Sequence, residues 1–148
     1  MSVLAINKPA RHDYDIIESY KAGIKLTGDE VKSCKSGQIN LKGSYAVINA
    51  KGIPYLIGCQ IAPYKQSSRV KPHEPLRSRQ LLLRQKETAS LIGALKEKRL
   101  TLIPLAFHNQ RGLIKVELGL GRGKKQFEKR EAIKKRDVER EIGRRLRR

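Results

Sequence analysis

From Tyr14 the chain alternates, with Tyr14, Ile16 and Tyr20 on one face and Asp13, Asp15 and Ser19 on the other, which predicts a strand. Ala22-Gly23 reads as a turn, and Ile24-Lys25-Leu26 as a short continuation. Thr27-Gly28-Asp29-Glu30 is a capping box, in which a hydroxyl and a carboxylate satisfy each other's backbone amides. It starts a short helix through Ser36 that buries Val31 and Cys34, turns Lys32 and Lys35 outward, and ends at Gly37. Tyr45–Ile48 and Ile53–Ile61 predict a hairpin around Asn49–Gly52, with Ile53, Tyr55, Ile57, Cys59 and Ile61 sharing a face. Arg79–Arg84 predicts a strand, and Lys86–Lys98 a helix with Leu91, Ile92 and Leu95 as its buried stripe. Leu100–Phe107 and Leu113–Leu120 predict a second hairpin around His108–Gly112, with Ile114, Val116, Leu118 and Leu120 inward.

Residues 1–11 show no pattern and are expected to be irregular, while Pro63–Pro75 reads as a long basic loop carrying Lys65, Arg69 and Lys71. About six strands and two short helices in the first 120 residues give a mainly β fold with short helices. A small closed β-barrel of the oligonucleotide-binding type fits that count, because closure removes exposed edges and leaves loops free for a ligand; an open α+β sheet is the alternative.

At Gly121 the pattern changes. Residues 121–148 are dense in Lys and Arg, and Phe127, Ile133, Val138, Ile142 and Leu146 give one thin apolar line at helical spacing. Such a segment has too little to bury to fold alone, and it is expected to be disordered until phosphates neutralise it, when it can become helical. The division is therefore 1–120, a folded domain, and 121–148, a basic tail. Gly119, Gly121 and Gly123 read as a flexible joint between them.

Composition sharpens the choice of partner. With Lys+Arg 33 against Asp+Glu 14, the formal net charge is +19. That excess repels itself and is best explained by a polyanionic partner. A membrane is disfavoured, since no apolar run approaches the ~20 residues of a spanning helix and the N-terminus lacks a basic signal-peptide front. Cys34 and Cys59 have no metal-type spacing and read as reduced core residues of a cytoplasmic protein. No cofactor, metal or catalytic constellation is expected. His12, between Arg11 and Asp13, could act as a general base, but beside Tyr14 it is also a stacking surface for a nucleobase. Phe127 could stack on a base or anchor the tail on the folded domain.

The assembled motifs are Asn7-Lys-Pro-Ala-Arg-His-Asp-Tyr14, Ala22-Gly23, Gly28-Asp-Glu-Val-Lys-Ser33, Asn40-Leu41, Ser44-Tyr45, Leu76-Arg-Ser-Arg-Gln-Leu-Leu-Leu83, Val116-Glu-Leu-Gly-Leu120, Arg122-Gly-Lys-Lys125 and Glu128-Lys-Arg130. In that order and spacing they resemble the small protein B family, the partners of transfer-messenger RNA in bacterial trans-translation. The resemblance implies an oligonucleotide-binding-type barrel that grips the tRNA-like domain of that RNA and fills the volume of its missing anticodon arm. It also implies a tail that lies as a helix in the decoding centre and empty mRNA channel of a stalled ribosome, against small-subunit rRNA. Elongation factor Tu and alanyl-tRNA synthetase would be partners only through the RNA.

By matching positions, Tyr14 and Leu82 belong to the implied RNA-binding set, with Asn7, Arg11, His12, Lys32 and Lys35 near them. Arg122, Lys124, Lys125, Phe127, Glu128, Lys129, Arg130, Ile142 and Leu146 belong to the ribosome-acting tail. One position departs: before Ala22-Gly23 the family often has an acidic residue, and this chain has Lys21. Two other readings compete. A general basic ribosome-associated RNA-binding protein or RNA chaperone would bind any structured RNA alike. An RNA-processing enzyme would use His12 with Asp13 or Glu30.

Overall fold

The computed structural model describes residues 2–64, 74–96 and 100–124. Nine strands and three short helices are present among them: β1 Ser2–Ile6, α1 Lys8–Asp13, β2 Tyr14–Ile24, α2 Gly28–Lys35, β3 Ile39–Asn40, β4 Tyr45–Ile48, β5 Pro54–Ile57, β6 Gln60–Ile61, β7 Arg79–Leu82, α3 Gln85–Leu95, β8 Leu100–Gln110 and β9 Leu113–Gly123. The fold is mainly β with few short helices, as expected. The main sheet runs β1-β8-β4-β5-β7-β2-β9, and β8 also pairs β9, so six of its strands join in a closed ring. β3 and β6 form a separate two-stranded ladder.

The β8–β9 hairpin is the largest element. Its turn is Arg111-Gly112, with φ of 52° and 82°, the left-handed pair that a two-residue turn between twisted strands requires. The expected loop over His108–Gly112 is thus shortened, and both strands gain residues. Ile114, Val116, Leu118 and Leu120 are buried on the inner face as predicted, meeting Leu56, Leu81, Leu102 and Phe107 in the main core.

Several expectations change. Residues 1–11 are ordered: β1 pairs with β8, and Asn7 caps α1. Ala22-Gly23 is not a turn, because β2 runs through it to Ile24. Gly23 lets the neighbouring strand approach closely, since a Cβ there would lie 3.3 Å from Leu82 Cβ. The single strand expected over Ile53–Ile61 is broken at Gly58 (φ +76°). That break inverts the faces: Pro54 and Leu56 are buried in β5, whereas Cys59 and Ile61 are buried beyond it. A one-residue irregularity moves every later side chain to the other face.

A bulge between Ile16 and Glu18 does the same to β2. Tyr20 packs on the main core, while Tyr14 joins Ala10, Ile103 and Leu105 in a second cluster and Ile16 lies opposite Gly121. This cluster sits on the outer face of the sheet, roofed by α1. Gly119 and Gly121 make room for it: a Cβ at Gly119 would meet Leu105 Cδ1 at 2.8 Å, and one at Gly121 would meet Tyr14 Cβ at 3.0 Å. The glycine triplet is therefore part of the sheet rather than a flexible joint.

Glu30 does more than close the capping box. Its carboxylate is fully buried and accepts from Arg79 Nε at 2.6 Å and from Arg77. Arg79, also without exposure, donates further to the carbonyls of Cys59 (2.8 Å) and Pro75 (3.0 Å). Burial pushes the Glu30 carboxyl up, but the bonds from Arg77, the Thr27 amide and Arg79 outweigh it and hold the pKa at about 2. Cys34 and Cys59 are free and buried, with thiols pushed up to about 12 chiefly by burial.

The depressed Glu30 pKa sets a pH window. Its contribution, of order 3 kcal/mol, is fully present above the unfolded-state value of about 4.5 and is lost as pH falls toward 2. In urea titrations between pH 7 and pH 2.5, the wild type is expected to lose stability in that window. Glu30→Gln should start several kcal/mol lower and be flatter with pH. In the same assay Gly119→Ala should cost about 1–3 kcal/mol by overpacking. Gly93→Ala, in helix α3 with nothing within 4 Å of the new methyl, should gain about 0.5–1 kcal/mol.

Candidate nucleic-acid interface

The residues expected to contact RNA fall in separate places. Asn7 is 3% exposed. Its amide donates to the carbonyls of Pro104 (2.9 Å) and Leu41 (3.3 Å), and its oxygen accepts from the Ala10 amide. Every polar atom of that side chain is hydrogen-bonded inside the protein, which fixes the start of α1. The cap itself is local, but the bonds that bury the side chain run to carbonyls 34 and 97 residues away and leave no trace in the sequence.

Asn7 and Pro9 start α1, which presents Arg11 and His12 in its last turn just before Tyr14 opens β2. Tyr14 pairs with Gly123 and Asp15 with Arg122. Beyond the ladder, the Lys124 amide donates to the Asp13 carbonyl at 2.9 Å, and Lys124 Nζ lies 3.8 Å from Asp15 Oδ1. Arg11, His12, Tyr14, Arg122 and Lys124 thus gather at one corner. Lys125, Phe127, Glu128, Lys129, Arg130, Ile142 and Leu146 lie outside the described residues, as do Lys65, Arg69 and Lys71 of the expected basic loop.

Leu82, on β7, lies beside the far end of β2. It is 48% exposed and opposite Gly23, nine residues along β2 from Tyr14, or about 30 Å at ~3.3 Å per residue. Lys32 and Lys35 occupy the last turn of α2, and Lys32 Nζ lies 5.2 Å from the centre of the Tyr64 ring. Just past that helix, Gly37 comes close to the Leu4 carbonyl of β1, the strand that leads into α1. The set spans a face of the molecule instead of converging on one pocket.

Lys21 lies directly opposite Glu117 of β9, on the outer face, because Ala22 and Val116 beside them are buried. Glu117 also meets His108 Nε2 at 3.2 Å. The Glu117 carboxylate therefore lies between Lys21 on one neighbouring strand and His108 on the other. Of the carboxylates offered for an enzymatic reading, Glu30 is buried and held ionised by two arginines, which leaves it unsuited to move protons with His12. Among the described residues no group of three His, Cys, Asp or Glu could hold a metal ion, and no helix is long and apolar enough to cross a membrane.

The expected residues thus lie in three places: a corner of basic and aromatic groups, an exposed leucine on β7 beside the far end of β2, and two lysines in the last turn of α2. The family model described as SmpB protein matches residues 4–148. The chain belongs to the SmpB protein family. An SsrA-binding protein from Sulfurihydrogenibium sp. (strain YO3AOP1) is 50% identical over 140 residues, covering 95% of this chain and 91% of the relative. That of Bacillus subtilis (strain 168) is 48% identical over 145 residues, covering 98% and 92%. A chain of the solved structure "tmRNA-SmpB: a journey to the center of the bacterial ribosome" superposes with a TM-score of 0.68 at 44% identity, covering 87% of this chain and 93% of that one. In this SmpB family chain the Lys21–Glu117 pair is testable by reversal. Glu117→Lys sets like charges opposite each other and should cost up to about 1 kcal/mol. Adding Lys21→Glu should recover most of that loss in a double-mutant cycle read by urea unfolding, and no recovery would mean that the two do not interact.

Proposed function

We propose that the protein binds the tRNA-like domain of transfer-messenger RNA and brings it to stalled ribosomes for trans-translation, where incomplete proteins are tagged. The observation that carries this reading is the family match over residues 4–148, joined to a likeness at 44% identity to a chain of the tmRNA-SmpB ribosome structure. The relatives' name, SsrA-binding protein, points to the same RNA.

The ring of paired strands works as an oligonucleotide-binding-type barrel. Arg11, His12, Tyr14, Lys32, Lys35 and Leu82 form the RNA-facing set: the cations meet phosphates, Tyr14 and His12 offer planar surfaces, and Leu82 offers an apolar contact. Recognition of folded RNA by shape, 2′-hydroxyls and splayed bases suits contacts spread over about 30 Å. Asn7 holds α1 in place for this work. The protein fills the volume of the absent anticodon arm, and no reaction is assigned to it.

The basic segment after Lys124, with Arg122 and Lys124 at its root, acts second, on small-subunit rRNA in the decoding centre and empty mRNA channel. There Lys125, Phe127, Glu128, Lys129, Arg130, Ile142 and Leu146 become helical and license the RNA's use. Elongation factor Tu and alanyl-tRNA synthetase act on the complex through the RNA, and the setting is the cytoplasm.

Affinity for the isolated tRNA-like domain, an ordinary tRNA and an unrelated hairpin, measured at near-physiological salt, tests the reading. Full-length protein should be compared with a 1–124 truncation, because β9 and its last backbone bond extend to Lys124. Both are expected to prefer the tRNA-like domain strongly, and Tyr14→Ala should weaken that preference roughly 5- to 100-fold by loss of one stacking surface. Equal, salt-sensitive binding to all three RNAs would favour the general RNA-chaperone reading instead.

A further inference from the structure

Between α3 and the β4–β5 turn the surface is hollowed into two clefts that share Gly52 and Ile92. One, about 550 Å³, lies between Ile48 and Lys51 on the turn and Leu95 and Lys96 on the helix. The other, about 330 Å³, passes over Pro54, Leu82 and Leu83 toward Thr88 and Ala89. Joined, they form a groove with an aliphatic floor.

Two features single it out. Ile92 follows the buried Leu91 and falls in the helix's apolar stripe, yet it is 37% exposed, and Leu82 on the opposite wall is 48% exposed. Water therefore wets aliphatic side chains on both sides of a concave surface. Among the described residues the ionic groups lining it are Lys51 and Lys96, both cations. The nearby Glu87 carboxylate is committed to the Arg84 amide at 3.2 Å, capping α3.

An apolar floor under a cationic rim matches a group that is flat and apolar on its faces and anionic on its backbone. We propose that this groove takes an unstacked nucleotide of the bound RNA, its base against Ile92 and Leu82 and its flanking phosphates at Lys51 and Lys96. The inference rests on the RNA-binding reading and is continuous with it through Leu82. The chain's own basic segment is a poorer occupant, because it would bring more positive charge to the two lysines. A docked protein helix would use the floor but leave the lysines idle.

The test uses full-length protein and the tRNA-like domain across a salt series. Ile92→Asp should weaken binding roughly tenfold, the order expected for losing the apolar contact area of one base, with its urea midpoint little changed. Lys51→Ala with Lys96→Ala should make the dependence of log K on log salt shallower by roughly 0.7 to 0.9 per lysine. Methyl NMR of the wild type provides a readout without substitutions: the methyls of Ile48, Ile53, Leu82 and Ile92 should shift on RNA addition. Wild-type affinity in Ile92→Asp with unshifted methyls, while Tyr14→Ala still weakens binding, would overturn the groove and leave the RNA reading standing. Absence of any preference for the tRNA-like domain in the wild type would overturn both. Groove methyls that differ, without RNA, between full-length and 1–124 protein would overturn the proposal in favour of the chain's own segment.

Discussion

Arg79 is a guanidinium with no access to water, and its partner Glu30 is a carboxylate equally removed. Taking two charges out of water costs several kcal/mol each, and only complete hydrogen bonding makes the arrangement tolerable. Here the bonding joins distant parts of the chain: the first turn of α2, the residue after the Gly58 break, the approach to β7 at Pro75, and β7 itself. The orientation of α2, which sets Lys32 and Lys35, and the placement of β7, which sets Leu82, depend on one buried ion pair. Removing Glu30 leaves Arg79 charged and buried without its carboxylate, which is costlier than deleting an ordinary surface bridge, while removing Arg79 leaves Glu30 with Arg77 as its counter-charge.

What could be read from the sequence was whatever is decided locally. The capping box at Thr27–Glu30 and the alternation of Ile114, Val116, Leu118 and Leu120 depend on residues within reach of one another, and both stand as predicted. The misses have non-local causes. β1 is a strand because β8 supplies its partner a hundred residues later. The faces of β2 and β5 invert at a bulge and at Gly58, and neither interrupts the run of β-forming residues that suggests a single strand. Arg79 reads in sequence as one more exposed cation, since its counter-charge lies 49 residues away. In the candidate site, Arg11, His12 and Tyr14 are adjacent in sequence and stay together. That Arg122 and Lys124 join them, while Leu82 stands a strand's length away, follows only from the β2–β9 register.

On the outer face of β2, β9 and β8, local charge is set by residues on facing strands together. Lys21 and Glu117 are directly opposed, with His108 beside the carboxylate. The field at that point is set by the pair, and substitution at one position has meaning only with the residue across from it. The same reasoning applies to the outer cluster: Gly119 and Gly121 are the vacant half of a contact whose filled half is Leu105, Ile16 and Tyr14.

β9 does not release the chain until Lys124, whose amide is tied to Asp13 beside Tyr14. Residues 125–148 are thus leashed to the corner that carries Arg11 and His12. Whatever their conformation, they can reach no more than roughly 80–85 Å from it, the contour length of an extended chain. An RNA held at that corner meets the basic segment as an intramolecular neighbour, at an effective concentration set by tether length instead of by the amount of protein in solution. A second contact made by that segment can therefore be weak on its own and still be occupied whenever the first is made, and it is vacated as soon as the first is lost.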